Sequence, residues 1–302
     1  MTFKHLIFIL FISNNVFSQF KDPEFFNVPS IYKLNGKIDS INTRIKDCSL
    51  SSYLNRCNDK TLWFDSEHRI IKEKYQDKYH RTITDFFSYD SNNNLIEKTS
   101  KTYDKVIGKI LYKYNNTNLL IEIKSLKGSK IVFINKYEYR SKKRVKEIIF
   151  DKYEKPQNIL SYTYNANGNL LEKVAEIPAL KYGSAGFNKK KYFYNKSGFL
   201  IKLLEYESKN KLVSTTKYYY DQNNLLIKQE YYKEVNNHYN IKTEYKYKDD
   251  LLIEVINNKN QNEVSEITKY EYQFDEYKNL TNIRITMNND IILDATYKLT
   301  YK

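Results

Sequence analysis

The chain has no long hydrophobic run after residue 20, which excludes a helical membrane protein. Histidine is scarce, at 4 residues, and no GxSxG, HExxH or phosphate-loop pattern occurs. Nothing in the sequence therefore names a nucleophile, a zinc protease or a nucleotide site. The 2 Cys form no CxxC and have no histidine beside them at metal-ligand spacing, so zinc is not expected. Glycine (7) and proline (4) are sparse, and the 41% hydrophobic share is enough for a packed structure, which excludes wholesale disorder. Acidic excess is absent: 50 Lys+Arg face 36 Asp+Glu, a net charge of +14. What is plentiful is tyrosine, 30 residues beside 16 Phe and a single Trp, and aromatics favour strands.

The N-terminus has the order of regions that export needs. Lys4 and His5 precede an apolar run from Leu6 to Ile12, and Val16-Phe17-Ser18 supplies small residues at the positions before a cleavage point. Residues 1–18 read as a signal peptide, cleaved after Ser18. The mature chain, 19–302, is expected in the periplasm, at the cell surface or outside the cell. Cys48 and Cys57 lie nine residues apart and suit a disulfide in that oxidising space.

A basic exported protein suits acidic glycans, cell-wall polymers, lipid A-type surfaces or nucleic acid. The lysines are spread along the chain, as the composition bias of an AT-rich genome would also leave them. A cell-surface polysaccharide or another envelope protein is the expected partner, and nucleic acid is not expected.

A repeat organises the rest. Phe64, Tyr89, Tyr114, Tyr139 and Tyr164 stand 25 residues apart, and Tyr194, Tyr220, Tyr247, Phe274 and Tyr301 continue the series at steps of 26 to 30. Two residues before each anchor stands another large apolar residue, such as Tyr162, Tyr218 or Tyr245. Six residues after each of the first nine stands an aliphatic, such as Leu95, Leu170 or Leu226. Three positions kept in phase over nine units mark a repeat protein.

Before each anchor the pattern alternates: Thr243, Tyr245 and Tyr247 on one face, Lys242, Glu244, Lys246 and Lys248 on the other. Period two means a half-buried strand. Turn formers follow, as in Asp90-Ser-Asn-Asn-Asn94 and Asp221-Gln-Asn-Asn224. A second strand and a second turn close the unit. The expected fold is all-β, a repetitive antiparallel β-hairpin meander forming a twisted or curled sheet of about 18 strands. It occupies residues 62–302, in about nine units of 25–30 residues. Its last strand is expected to be short, with an edge that needs a cover. Residues 19–61 fit the repeat poorly and are expected to form an N-terminal cap carrying the disulfide.

The stretch Tyr164-Asn165-Ala-Asn-Gly168-Asn169-Leu170 resembles the YD (RHS-type) repeats of secreted bacterial proteins. The resemblance covers about residues 62–302. Asp follows the anchor at Asp65, Asp90, Asp221 and Asp275; Asn does so at Asn115, Asn165 and Asn195; Arg140 and Lys248 depart from the pattern. The motif glycine survives at Gly168 and Gly198. The resemblance implies an all-β strand spiral, an envelope or extracellular location, and carbohydrate-binding or interaction roles. The chain has no room for the toxin that large members enclose.

Candidate functional residues are few. Steps of the repeat lengthen to 30 between Tyr164 and Tyr194, which points to an inserted contact loop bearing Tyr182, Phe187, Lys189, Lys190 and Lys191. Tyr218, Tyr220, Tyr245 and Tyr247 are the candidate sugar-stacking face, although their phase is also that of packing positions. Asp90-x-Asn92-x-Asn94 starts like a calcium loop but lacks its Gly and Glu, so an Asx turn is expected. No catalytic, cofactor or metal-binding residue is expected. A carboxylate-based hydrolase stays conceivable only because acidic side chains are scattered everywhere. The expected function is exported, non-enzymatic binding or interaction, with a structural scaffold as the alternative. An outer-membrane barrel is disfavoured because Lys and Glu occupy alternate strand positions.

Overall fold

The structure, a computed structural model, describes residues 35–36, 38–47, 59–77, 79–178, 186–234, 239–259 and 263–301. The expected signal peptide, Cys48, Cys57 and Tyr182 lie outside the described residues.

The described chain is all-β and forms an antiparallel meander. Its strands are β1 (Ile38–Asp47), β2 (Lys60–Phe64), β3 (Ile70–Gln76), β4 (Thr82–Tyr89), β5 (Leu95–Thr102), β6 (Lys105–Tyr114) and β7 (Leu120–Lys127). They continue with β8 (Lys130–Arg140), β9 (Lys143–Phe150), β10 (Pro156–Tyr164), β11 (Leu170–Ile177), β12 (Gly186–Tyr194), β13 (Leu200–Glu207) and β14 (Lys211–Tyr220). The last are β15 (Leu226–Lys233), β16 (Tyr239–Lys248), β17 (Leu251–Lys259), β18 (Glu263–Phe274), β19 (Leu280–Met287) and β20 (Asp290–Tyr301). Strands β2 to β19 are the nine expected hairpin units, and β20 is the first strand of a tenth. The only helical turn among the described residues is Ser208–Asn210. No helix of the described residues is long and apolar enough to cross a membrane.

The chain falls into two compact units. One holds the described residues up to Leu111 with Tyr247–Glu254 and those from Thr268 onward; the other holds Tyr112–Lys246 and Val255–Ile267.

In the first unit the expected short terminal strand with a bare edge is not found. Strand β20 is 12 residues long, and β1 pairs antiparallel along it, from Ile38 opposite Tyr301 to Asp47 opposite Asp294. The other edge of β1 pairs with β2, Ile41 facing Leu62. Unpaired strand edges invite association with other chains, and here the segment before the repeat fills the gap. Ile38, Ile41, Leu62, Phe64, Leu280, Ile283, Ala295 and Tyr297 are buried together around this junction.

The repeated turn has a single physical basis. In the five-residue loop after the anchor, the first residue is Asp or Asn, and its side-chain oxygen accepts the backbone N–H of the fifth and, at Asp65, Asp90, Asn115, Asp221 and Asp275, that of the third as well. Asp90 Oδ1 accepts from Asn92 and Asn94, each at 2.9 Å, and Asp221 Oδ1 from Asn223 and Leu225 at 2.9 and 2.8 Å. Both Asp90 oxygens are engaged, Oδ2 by Asn94 Nδ2 at 3.0 Å, so the Asx turn replaces any calcium loop. The fourth residue is left-handed: His68, Asn93, Asn118, Gly168, Gly198, Asn224 and Lys278. Gly, Asn and Asp reach that conformation most easily, which explains the motif glycine and its replacements. Where Arg140 and Lys248 break the motif, the loop shrinks to two left-handed residues, Ser141-Lys142 and Asp249-Asp250. Two consecutive left-handed residues are the signature of the tight turn that suits strand twist.

The anchor loops after Phe64, Tyr89, Tyr164, Tyr194, Tyr220 and Phe274 are followed by a β-bulge. Tyr220 faces Leu226 but Tyr219 faces Lys228, leaving Ile227 unpaired. The same shift leaves Ile71, Ile96, Leu171 and Ile201 unpaired. The anchor tyrosines then tie unit to unit. Tyr89, Tyr164 and Tyr220 donate their hydroxyls to the carbonyls of Ile70, Arg144 and Leu200 at 2.8, 2.8 and 2.9 Å. Phe274 lacks a hydroxyl, and Tyr272 makes the equivalent bond to Leu252 at 2.8 Å.

Candidate functional site

The outward face of β12 to β15, within the second unit, gathers cations and aromatic rings. Its parity is set by burial on the opposite face. Ser214, Thr216 and Tyr218 are buried, so Thr215, Lys217 and Tyr219 point the other way. Pairing carries this parity across the sheet. Phe193 faces Lys202, Lys202 faces Lys217, and Lys217 faces Glu230. In the next row Lys191 faces Leu204, Leu204 faces Thr215, and Thr215 faces Tyr232. Beyond it Lys189 faces Tyr206. On one side of the first row Tyr219 faces Lys228.

Each lysine of this face lies near a ring. Lys228 Nζ stands 3.9 Å from the Tyr219 centroid, and Lys202 Nζ 4.4 Å from that of Phe193. Lys217 is 5.2 Å from Tyr232, while Lys189 and Lys191 are 5.0 and 5.8 Å from Tyr206. The ammonium groups are held over the rings by the ring quadrupoles. Lys228 pairs with Glu230 at 2.9 Å, and Lys191 approaches Glu172 at 4.0 Å. Among the described residues no carboxylate pairs with Lys202 or Lys217, although they stand directly opposite each other. Like charges facing across strands are unfavourable, and an anion between them would relieve the cost.

Glu230 is the one acid on the outward face of these four strands. Burial works to raise its pKa, but bonds from Lys228, Tyr219 and Tyr232 outweigh burial and hold the carboxyl at about 2. Tyr219 gives that bond at 2.7 Å and Tyr232 at 2.8 Å. The bond to Glu230, helped by burial, pushes the Tyr219 phenol up to about 12. Glu230 is therefore ionised and Tyr219 neutral across the whole physiological range.

The residues expected from sequence fall on both faces. Phe187 and Lys189 to Lys191, expected in a loop, belong to strand β12, so alternation splits them. Lys189 and Lys191 join the outward cluster. Lys190 points to the buried face and pairs with Glu205 at 3.0 Å, which also accepts from Ser214 at 2.6 Å. Tyr218 is buried, Tyr220 is bonded to Leu200, and Tyr245 donates to Gln229 at 3.1 Å. Tyr247 is half-buried. Of the rings that do face outward, Phe193 and Tyr219 are one residue out of the packing phase. A sequence signal for them exists: an aromatic nine residues before a lysine, as in Trp63/Lys72, Phe193/Lys202 and Tyr219/Lys228.

On the buried face of the first unit, two carboxylates stand directly opposite, Glu73 and Asp85. Each is held by a lysine: Glu73 by Lys60 at 3.0 Å, Asp85 by Lys98 at 2.6 Å. This is the arrangement of ion-paired carboxylates that hold a sheet together.

No protein family profile and no curated protein matches the chain. Among solved structures, similarity is found to a porin-like protein from Bacteroides uniformis, with a TM-score of 0.37 and 12% identity over 87% of this chain and 96% of that one. A porin-like protein from Bacteroides vulgatus gives 0.35 and 13% over 76% and 97%. A TcdB2–TccC3 complex without its hypervariable C-terminal region gives 0.32 and 10% over 76% of this chain and 15% of that one. Likeness this loose brings no function to the chain.

Proposed function

We propose that this is an exported, non-enzymatic binding protein of the bacterial envelope or exterior, and that its ligand is an anionic polysaccharide. The observation that carries the reading is the outward face of β12 to β15. Lys191, Lys202, Lys217 and Lys228 place one cation on each of four successive strands, which lie about 4.8 Å apart. Lys202 and Lys217 stand in register, Lys191 lies two residues to one side and Lys228 two residues to the other, a diagonal that suits an extended anionic chain crossing the strands obliquely. The neighbouring rings offer flat apolar surface to the sugars.

A membrane-spanning reading is opposed by the same residues. Lys202, Lys217 and Lys228 stand on the face away from the core, where lipid would have to lie, and a lysine facing lipid costs up to about 2–4 kcal/mol, less towards the interfaces. The test is a titration with a polyuronate and with neutral dextran at low and high salt. Binding to the polyuronate alone, weakened but not abolished by salt, is the expected result. Equal binding to both polymers, or to neither, overturns the reading.

A further inference from the structure

A second outward patch lies in the first unit, on β2 to β5. Trp63, Lys72 and Phe86 stand in register across three strands. Ile71 and Ile96 are bulged residues beside them, left unpaired by the ladder, at 39% and 38% exposure; Phe86 is 37% exposed. Lys72 Nζ is 4.4 Å from the Trp63 ring and 6.0 Å from Phe86, and Lys101 Nζ is 5.1 Å from Phe86. The patch thus combines two aliphatic tips, two aromatic rings and two lysines whose ammonium groups lie over those rings.

We infer that this patch docks on an anionic lipid surface, resting at the headgroup level without crossing the bilayer. Rings of Trp, Lys stems that lift their ammonium groups, and short aliphatic tips are what the water–lipid boundary accommodates. Lys72 and Lys101 would meet anionic headgroups, each contributing roughly a fivefold gain in affinity near such a surface. A second copy of the chain fits poorly, because a two-fold contact centred on this patch would bring Lys72 and Lys101 against their own counterparts. A soluble anionic polymer offers nothing apolar to cover Ile71 and Ile96.

Trp63 is the only tryptophan in the sequence, so its emission reports this patch alone. The protein is titrated with phosphatidylcholine vesicles containing phosphatidylglycerol, and with pure phosphatidylcholine vesicles. Expected is a blue shift with the anionic vesicles and quenching by acyl chains brominated near the headgroup. Ile71→Asn with Ile96→Asn should weaken vesicle binding about tenfold or more, and Lys72→Gln with Lys101→Gln by a similar factor. Each variant is first shown to keep the wild-type emission and circular dichroism in buffer. Lys202→Gln with Lys217→Gln should leave the vesicle response unchanged, which separates this inference from the polysaccharide reading. Unchanged emission with anionic vesicles overturns it. So does the same blue shift with a soluble polyuronate, or with rising protein concentration alone.

Discussion

Replacing Tyr220 by Phe removes one oxygen and keeps the ring. The lost atom is the hydroxyl that donates to the Leu200 carbonyl at 2.9 Å, one strand pair back. The ring keeps its packing against Phe199, 5.2 Å between centroids. A neutral hydrogen bond of this kind contributes about 0.5–1.5 kcal/mol net, and leaving the half-buried carbonyl short of its donor moves the cost towards the upper end. Tyr89 and Tyr164 make the same bond at distant sites, so a triple Tyr89→Phe, Tyr164→Phe, Tyr220→Phe variant should lose about three times as much. That is a sizeable part of a stability of about 5–15 kcal/mol. The assay is equilibrium urea unfolding at neutral pH, with Tyr103→Phe as the control, an exposed turn tyrosine expected to shift stability by less than about 0.5 kcal/mol. If Tyr220→Phe behaves like Tyr103→Phe, or the triple variant costs no more than one substitution, the anchors do not tie the units as described.

The turn chemistry gives a second test: Gly198→Ala, at φ +84°, should cost about 1–2 kcal/mol in urea unfolding, whereas Gly198→Asn should cost much less, since Asn takes that place at Asn93, Asn118 and Asn224. Ile41→Ala, in the strand that joins β20 to β2, should lose about 2–5 kcal/mol and raise concentration-dependent association in light scattering, because it loosens the cover on two strand edges. For Glu230, whose folded pKa lies below the ordinary glutamate value, the stabilisation is present above that value and is lost as pH falls towards about 2; for Tyr219, whose folded pKa is raised, it is present below the ordinary tyrosine value and is lost as pH rises through about 12. Urea midpoints of Glu230→Gln and wild type should therefore converge at the acid end. The same Glu230→Gln variant should bind a polyuronate more tightly at neutral pH, since it removes the carboxylate that faces Lys217.

Much of this architecture was legible because its causes are local. An anchor, an Asx residue and a left-handed residue within five positions determine each turn, so the phase of the repeat could be read from Tyr89, Asp90 and Asn93 alone. Even the departures carried information: Arg140 and Lys248 mark the two hairpins with shortened loops. Other features depend on contacts that no local pattern records. The pairing of β1 with β20 joins residues some 250 positions apart, and nothing near Ile41 announces Leu299 as its partner. The site was misplaced for a different reason. In Lys217-Tyr218-Tyr219-Tyr220 three aromatics run together, and the packing phase claims Tyr218 and Tyr220 while Tyr219 faces out. Lys189 to Lys191 read as one basic cluster in sequence, but a strand sends alternate residues to opposite faces, and Lys190 goes to Glu205.

The central claim is that charge at one place on the sheet, and not net charge, binds the anionic polymer. Two charge-reversal pairs separate these: Lys202→Glu with Lys217→Glu in the cluster, and Lys127→Glu with Lys130→Glu at the exposed β7–β8 turn. Both pairs change net charge equally. Calorimetric titration with a polyuronate should show a loss of about tenfold or more, with a shallower salt dependence, for the first pair, and about twofold or less for the second. Equal losses for the two pairs would contradict the account and leave only a diffuse attraction of a basic protein for polyanions.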